Sequence, residues 1–243
     1  MNDLQIDPVT GEAEYITEQS NNPKKSRKVR REQANIVRDT ITALAVCHNV
    51  TPTYPDPNDK SVREFQASSP DEIALVKFAD SLGMNLIERD QNVIVIQNTK
   101  GQTETYEVLA NFPFSSETKR MGIIVRNKET NKIIFFLKGA ETVMKKTVRP
   151  SQSTTVDEAC ENLAIDGLRT LVIAQKFISK QFFDAWFKRY QSAKATLNNR
   201  EAKVAEVVSE LEVGLELLGI TGVEDKLQDE VAITIESLRS AGI

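Results

Sequence analysis

The sequence predicts an α+β fold, an antiparallel β-sheet flanked by helices, and three observations carry the prediction. Runs of β-branched and aromatic residues recur at Val93 to Ile96, Thr103 to Leu109, Met121 to Val125 and Ile133 to Leu137. Short polar turns join them in pairs, Asn98-Thr-Lys-Gly101 and Asn127-Lys-Glu-Thr-Asn131. Helical patterns stand before and after the strands. Strands that are neighbours in sequence and linked by hairpins pair antiparallel, with the helices packed on the sheet.

Taken in order, residues 1 to about 30 are polar and lack periodicity, so no regular structure is expected. They end in the basic cluster Lys24-Lys-Ser-Arg-Lys-Val-Arg-Arg31. It reads first as a solvated linker, and second as a contact for anionic lipid or a localisation signal. Ile36, Val37, Thr40 and Leu44 then fit an amphipathic helix over about 35 to 46. The proline-rich stretch from Thr51 to Asp59 is a loop. Ser69-Pro70-Asp71-Glu72 is a complete helix start, with Ser69 as cap, Pro70 in the first turn and Glu72 closing a capping box. Leu75, Phe78 and Leu82 give that helix its buried face and Gly83 stops it.

After the four strands, a short helix begins near Glu141 and a longer one covers Val156 to Ile165. Gly167 to Ala174 reads as a buried strand, Lys180 to Leu211 as helical with room for a break, and Leu215 to Ile220 as the last strand. Gly222 to Gly242 reads as a polar turn and helix. The domain expectation is a flexible basic linker over 1–34, a main domain over 35–221, and the start of a second over 222–243. Leu238 to Ile243 stops in what reads as a helix-to-strand passage, the pattern expected of a piece of a larger protein.

Composition removes several function classes. At 243 residues, 40% hydrophobic and 27% charged, the chain is long enough to bury a core and ordinary for a soluble domain. A net charge of -4 argues against bulk nucleic-acid binding. Cys47 and Cys160 are too few and too far apart for a disulfide framework or a zinc site. His48 is the single histidine, which removes imidazole triads and multi-histidine metal sites. No apolar run reaches the roughly 20 residues that span a bilayer, and no signal-peptide h-region opens the chain. A soluble, cytosolic and monomeric chain is the expectation. A P-loop is absent on pattern, and no nucleophile with a base or metal suggests a standalone hydrolase.

The informative stretch is Phe112-Pro-Phe-Ser-Ser-Glu-Thr-Lys-Arg-Met121, which joins two strands and holds rings, hydroxyls and cations together. Pairing of the following hairpin brings Lys138, at the end of its second strand, towards the start of its first. A flat ring beside cations suits a purine nucleotide, whose base stacks while its phosphates attract positive charge; ATP is the expected ligand. Stacking on an aromatic ring is worth roughly 1–3 kcal/mol. Asp71, Glu224 and Asp225 are scattered over three elements, so Mg²⁺ is expected to arrive on the nucleotide's phosphates. On the residues alone, Phe114 reads as core or as stacking ring, Glu72 as helix cap or ligand, and Lys138 as solvated or as ligand. Arg169, inside an apolar run, reads as a partner of Asp166 or of phosphate. Lys119 and Arg120 alternate in a strand, so one of them faces the pocket. Ser115 and Ser116 read as hydrogen-bond donors, and Cys47 and His48 as packing residues.

Five motifs in order extend this reading: Gln66-Ala-Ser-Ser-Pro-Asp-Glu-Ile-Ala-Leu-Val76, Phe114-Ser-Ser-Glu-Thr-Lys-Arg-Met121, Lys138-Gly-Ala-Glu141, Asp166-Gly-Leu-Arg-Thr-Leu171 and Gly222-Val-Glu-Asp-Lys-Leu-Gln-Asp229. Together they resemble the nucleotide-binding domain of type IV P-type ATPases, the phospholipid flippases, over about residues 36 to 243. Ala45-Val-Cys-His-Asn-Val-Thr-Pro52 and Lys119-Arg-Met-Gly-Ile-Ile-Val-Arg126 are most similar to the monomeric branch at Golgi and endosomal membranes. The resemblance implies a twisted antiparallel sheet with Phe114 as the adenine-stacking ring and Glu72 near the adenine amino group. It implies Lys119 and Lys138 lining the pocket and Arg169 reaching phosphate; Ser116, as a hydrogen-bond donor, joins them among the expected nucleotide-binding residues. It also implies phosphorylation and actuator domains in the same full-length chain, a phosphorylated aspartate lying elsewhere, and phospholipid handled by a membrane domain. Three positions depart from the family pattern: Thr118 stands where Arg is frequent, Ile73 for Gly and Glu141 for Asp. Thr118 removes one phosphate cation and favours the alternative of a regulatory or protein-interaction domain of the same fold.

Overall fold

The computed structural model describes residues 33–56, 62–224 and 229–243 with their side chains, and the backbone of Asp3–Ile6 (β1) and Ala13–Ile16 (β2). β1 and β2 pair antiparallel, in a segment for which polarity predicted no regular structure. The Lys24 to Arg31 cluster lies outside the described residues. The rest is α1 (Gln33–Val46), a small ribbon of β3 (Thr51–Thr53) and β4 (Glu64–Gln66), and α2 (Pro70–Ser81). Strands β5 (Asn85–Arg89), β6 (Val93–Gln97), β7 (Thr103–Phe112), β8 (Arg120–Asn127) and β9 (Ile133–Gly139) follow. Then come α3 (Glu141–Met144), α4 (Pro150–Ile165), β10 (Arg169–Ile178), α5 (Lys180–Ala195), α6 (Arg200–Ser209), β11 (Glu216–Val223) and α7 (Val231–Ser240).

β5 to β11 form one antiparallel sheet in which spatial order equals sequence order. The α+β expectation holds. The sequence reading lacked β3, β4 and β5, and α4 starts at Pro150, a favoured first-turn residue, instead of Val156. The helical stretch after Lys180 breaks at Thr196–Asn199, where Asn199 takes a left-handed φ of 53°. β11 runs to Val223, through the boundary expected at 221/222, with Gly222 opposite Thr170 and Val223 opposite Arg169.

Each face of the sheet is buried, which is why the central strands read as continuous apolar runs rather than alternating ones. One face packs on α1 and α2: Met121, Ile123, Val125, Phe136 and Ile173 meet Leu44, Val46, Leu75 and Val76. The other packs on the later helices: Ile124, Phe135, Leu137, Val172 and Ala174 meet Met144, Val156, Trp186 and Leu211. On α2 the buried residues are Leu75, Val76 and Ala79, whereas Phe78 and Leu82 are exposed. The expected face was rotated because α2 lies over the sheet end through its 75/76/79 stripe, at the i, i+1, i+4 spacing that also makes one helix face.

A bulge in β7 decides the aromatic side. Register slips between Val108 and Ala110, so the strand exchanges faces. Val108 packs on the α1/α2 core, and Ala110 and Phe112 on the other. Phe112 then meets Phe135, Trp186 and Tyr190 edge-on at centroid distances of 6.0, 6.2 and 5.8 Å, favourable geometry for aromatic pairs.

Candidate nucleotide site

The residues singled out in the sequence come to one end of the sheet. β7 ends there at Phe112, β8 and β10 begin there at Arg120 and Arg169, β9 ends there at Gly139, and the first turn of α2 lies over it. Register places Lys138 between Met121 and Ile173 on the α1/α2 face. The loop from Pro113 to Lys119 bridges β7 and β8 at the same end.

Phe114 is the outward half of the aromatic pair. It lies just beyond β7 and is 59% exposed, while Phe112 is held in the aromatic cluster. The core alternative for Phe114 is thereby removed. Inside the loop the Ser115 hydroxyl bonds to the Thr118 hydroxyl at 2.7 Å and accepts from the Thr118 N–H at 3.1 Å. Lys119 N–H donates to the Ser115 carbonyl at 2.8 Å. Thr118, a departure from the family pattern, therefore shapes the turn. Ser116 and Lys119 are exposed. Lys119 is not the first residue of β8: it sits in the left-handed region at φ 52°, so alternation between it and Arg120 does not apply. Arg120 opens the strand and pairs with Glu212 instead.

Gly139 has a steric reason. A Cβ there would lie 2.7 Å from the Arg120 Cβ and 2.7 Å from the Lys119 carbonyl oxygen, closer than side chains tolerate. That approach lets the Ala140 N–H donate to the Lys119 carbonyl at 3.0 Å. The Lys-Gly-Ala turn thus tethers the Phe114 loop.

Glu72 does something other than close a capping box. Ser69 is the N-cap, without a side-chain bond to the helix. The Glu72 carboxylate accepts from the Lys138 ammonium at 3.0 Å through one oxygen and from the Asn49 N–H at 3.3 Å through the other. Both partners of the ion pair are nearly buried, with 7% and 13% of their side chains exposed. Burial of a lone cation or carboxylate is costly, so each is the condition for the other. The tertiary partner therefore outcompetes the local cap.

Beneath this pair lie Cys47 and His48. Burial pushes the Cys47 thiol up to about 11, with Lys138 opposing the rise, which leaves it an inert packing group. Burial lowers the His48 pKa well below its usual value, and the charges of Arg89 and Lys138 lower it further. Val50 N–H donates to His48 Nδ1 at 3.0 Å, and Nε2 lies 2.8 Å from the Ala45 carbonyl. These contacts assign a neutral ring protonated on Nε2.

Arg169 meets neither Asp166 nor the interior of the strand. It opens β10 with 53% of its side chain exposed and donates to Asp71 at 3.0 Å. A cation at a strand end is solvated, so the burial cost expected from its apolar neighbours does not arise. Consecutive carboxylates of α2 thus hold two of the expected cations. Asp71 and Glu212 were not foreseen; both act over long sequence separations, where local pattern is silent. A shallow hollow of about 300 Å³ lined by Tyr190, Lys194, Arg200, Glu201 and Val204 belongs to α5 and α6 and contains none of the expected residues. Among the described residues no group of three or more His, Cys, Asp or Glu side chains fits a metal ion. No described helix is long and apolar enough to cross a membrane.

The family profile of the P-type ATPase, cytoplasmic domain N, matches residues 37–230. The chain belongs to the P-type ATPases, as their cytoplasmic N domain. This N domain is 46% identical over 216 residues to the phospholipid-transporting ATPase NEO1 of Saccharomyces cerevisiae, covering 88% of the chain and 18% of that protein. It is 42% identical over 236 residues to the probable phospholipid-transporting ATPase IIB of Bos taurus, covering 91% and 20%. Over 210 residues it is 46% identical to the phospholipid-transporting ATPase neo1 of Schizosaccharomyces pombe, covering 86% and 19%. The chain spans about a fifth of the length of these relatives.

Proposed function

We propose that this N domain binds ATP, stacking the adenine on Phe114, and presents the γ-phosphate to an aspartate in a separate phosphorylation domain of the same full-length chain. The observation that carries the reading is the exposed ring of Phe114 on a loop tethered to the Lys138-Gly-Ala turn. A large apolar ring held out by a structured loop is an unusual use of phenylalanine, and it suits a flat base. Around it, Lys119 and Arg169 offer positive charge to the phosphates, Ser116 a hydroxyl, and Glu72 with Lys138 a polar floor for the purine edge. Mg²⁺ would be held by the nucleotide's phosphates and would neutralise charge there.

In phosphoryl transfer the protein's contribution is mainly positioning and charge stabilisation. Alone, the domain holds nucleotide without hydrolysing it. In the parent protein, cycles of phosphorylation with the actuator domain drive phospholipid between leaflets, a role fitting the names of the relatives. The N domain would work at the cytosolic face of that membrane protein, in Golgi or endosomal membranes. Chemical-shift perturbation on adding MgATP centres on Phe114, Glu72 and Lys138, with micromolar to millimolar affinity; an unshifted spectrum at millimolar ATP sinks the reading. That result favours the second reading, an interaction domain without nucleotide, for which the neutralisation of Lys138 and Arg169 by α2 speaks.

A further inference from the structure

The Phe114 loop ends on a conformation that needs outside support. Lys119 is a non-glycine residue at φ 52°, a region that a residue with a Cβ enters at a cost. Next to it, Arg120 donates through Nη1 to the Thr118 carbonyl at 3.1 Å. Its other donors, Nε and Nη2, bond to the two oxygens of Glu212 at 2.6 and 2.7 Å. A two-point guanidinium–carboxylate fork fixes the plane of the arginine, and with it the direction of Nη1.

Glu212 is itself held. Its side chain is 10% exposed, and it lies between Leu211 and Leu215, both fully buried. Arg189 of α5 grips Glu210 at 2.8 and 2.6 Å. Lys176 of β10 donates to the Val213 carbonyl at 3.0 Å, and Leu215 N–H to the Thr147 carbonyl at 2.9 Å. The link between α6 and β11 is therefore rigid from both sides. It ends in a carboxylate aimed at the loop's arginine.

We propose that Glu212 is a positioning residue for nucleotide: through Arg120 it holds the Ser115 to Lys119 turn, and so the stance of Phe114 and Lys119, before ATP arrives. This rests on the ATP reading above. It also makes the α5–α6 hairpin, on the opposite face from α2, a part of the site through which movement there alters nucleotide affinity.

The test uses the 243-residue chain. For Glu212→Gln, MgATP titration is expected to show about tenfold weaker binding, the scale of one lost charge-assisted hydrogen bond. Without nucleotide, amide hydrogen exchange at Thr118 and Lys119 speeds up. Glu212→Asp, which keeps the charge, recovers part of the affinity. Arg120→Lys, which keeps the ion pair but loses the fork, loosens the same two amides and covers the case of a poorly folding Glu212→Gln. A merely structural role would lower the melting temperature and leave both affinity and loop exchange unchanged well below it; that outcome overturns the inference while the ATP reading stands. A wild-type chain that binds no MgATP overturns the ATP reading, and this inference with it.

Discussion

Two consecutive residues of α2 hold two cations under opposite conditions. Glu72 grips Lys138 where 13% and 7% of the side chains are exposed; Asp71 grips Arg169 where the figures are 31% and 53%. The distances are the same, 3.0 Å in each. Burial separates them: the first pair is bound up with the fold, because either charge alone would be stranded, whereas water and counterions stand ready to replace either member of the second. The phenylalanines repeat the lesson, Phe112 in an aromatic cluster and Phe114 in solvent. At this end of the sheet, the inner member of each couple is built into the core and the outer one faces solvent.

The harshest trial of that division is Lys138→Ala, which leaves the Glu72 carboxylate buried without its cation. Urea unfolding should show a loss of about 3–5 kcal/mol. A loss under 1 kcal/mol would mean that the buried pair is no more structural than the exposed one. Replacing both partners, Glu72→Leu with Lys138→Met, should recover much of that stability. Phe114→Ala comes next. It should weaken ATP binding by roughly 1–3 kcal/mol with the melting temperature nearly constant, and a large stability loss would put this ring back with Phe112.

Smaller is the pH response of the ground under the buried pair. The folded-state pKa of His48 lies below its ordinary 6.5, so the unfolded chain takes up the proton first. The stability contributed by the neutral ring is complete above 6.5 and is lost as pH falls below it towards the folded value. The slope is at most about 1.4 kcal/mol per pH unit. His48 is the single histidine, so urea midpoints between pH 6.5 and 5.5 read it directly, and a flat profile contradicts the burial argument. Least of all, Asp71→Asn should alter stability by less than about 0.5 kcal/mol. By removing one negative charge from beside Arg169 it should tighten ATP binding about twofold to threefold; weaker binding would show that Asp71 serves the ligand.

The sequence displayed the sheet well because its strands are hairpin-linked and rich in β-branched residues, and it displayed the site's motifs because they are local. Lys138, Phe114, Lys119, Glu72 and Arg169 do converge on one sheet end. Hidden from it was whatever depends on contacts far along the chain. The carboxylate of Glu72 fitted a capping box three residues from Ser69, and a lysine 66 residues away took it instead. Arg169 looked buried because its neighbours are apolar, but it begins its strand. Arg120 gave no hint of Glu212, 92 residues on. The bulge after Val108, which turns Phe112 onto the aromatic face, has no glycine or proline to announce it.

The sheet's order has a consequence for how the molecule is made. From β5 to β11 each strand lies beside the one synthesised just before it, so hairpins can zip up one after another as the chain leaves the ribosome. The opening helix is the exception. Thr40 of α1 donates to the Leu218 carbonyl of β11 at 3.0 Å, and its methyl lies 3.1 Å from where a Cβ on Gly219 would be. The first helix thus waits for β11, and its seat on the sheet is complete only when that strand arrives.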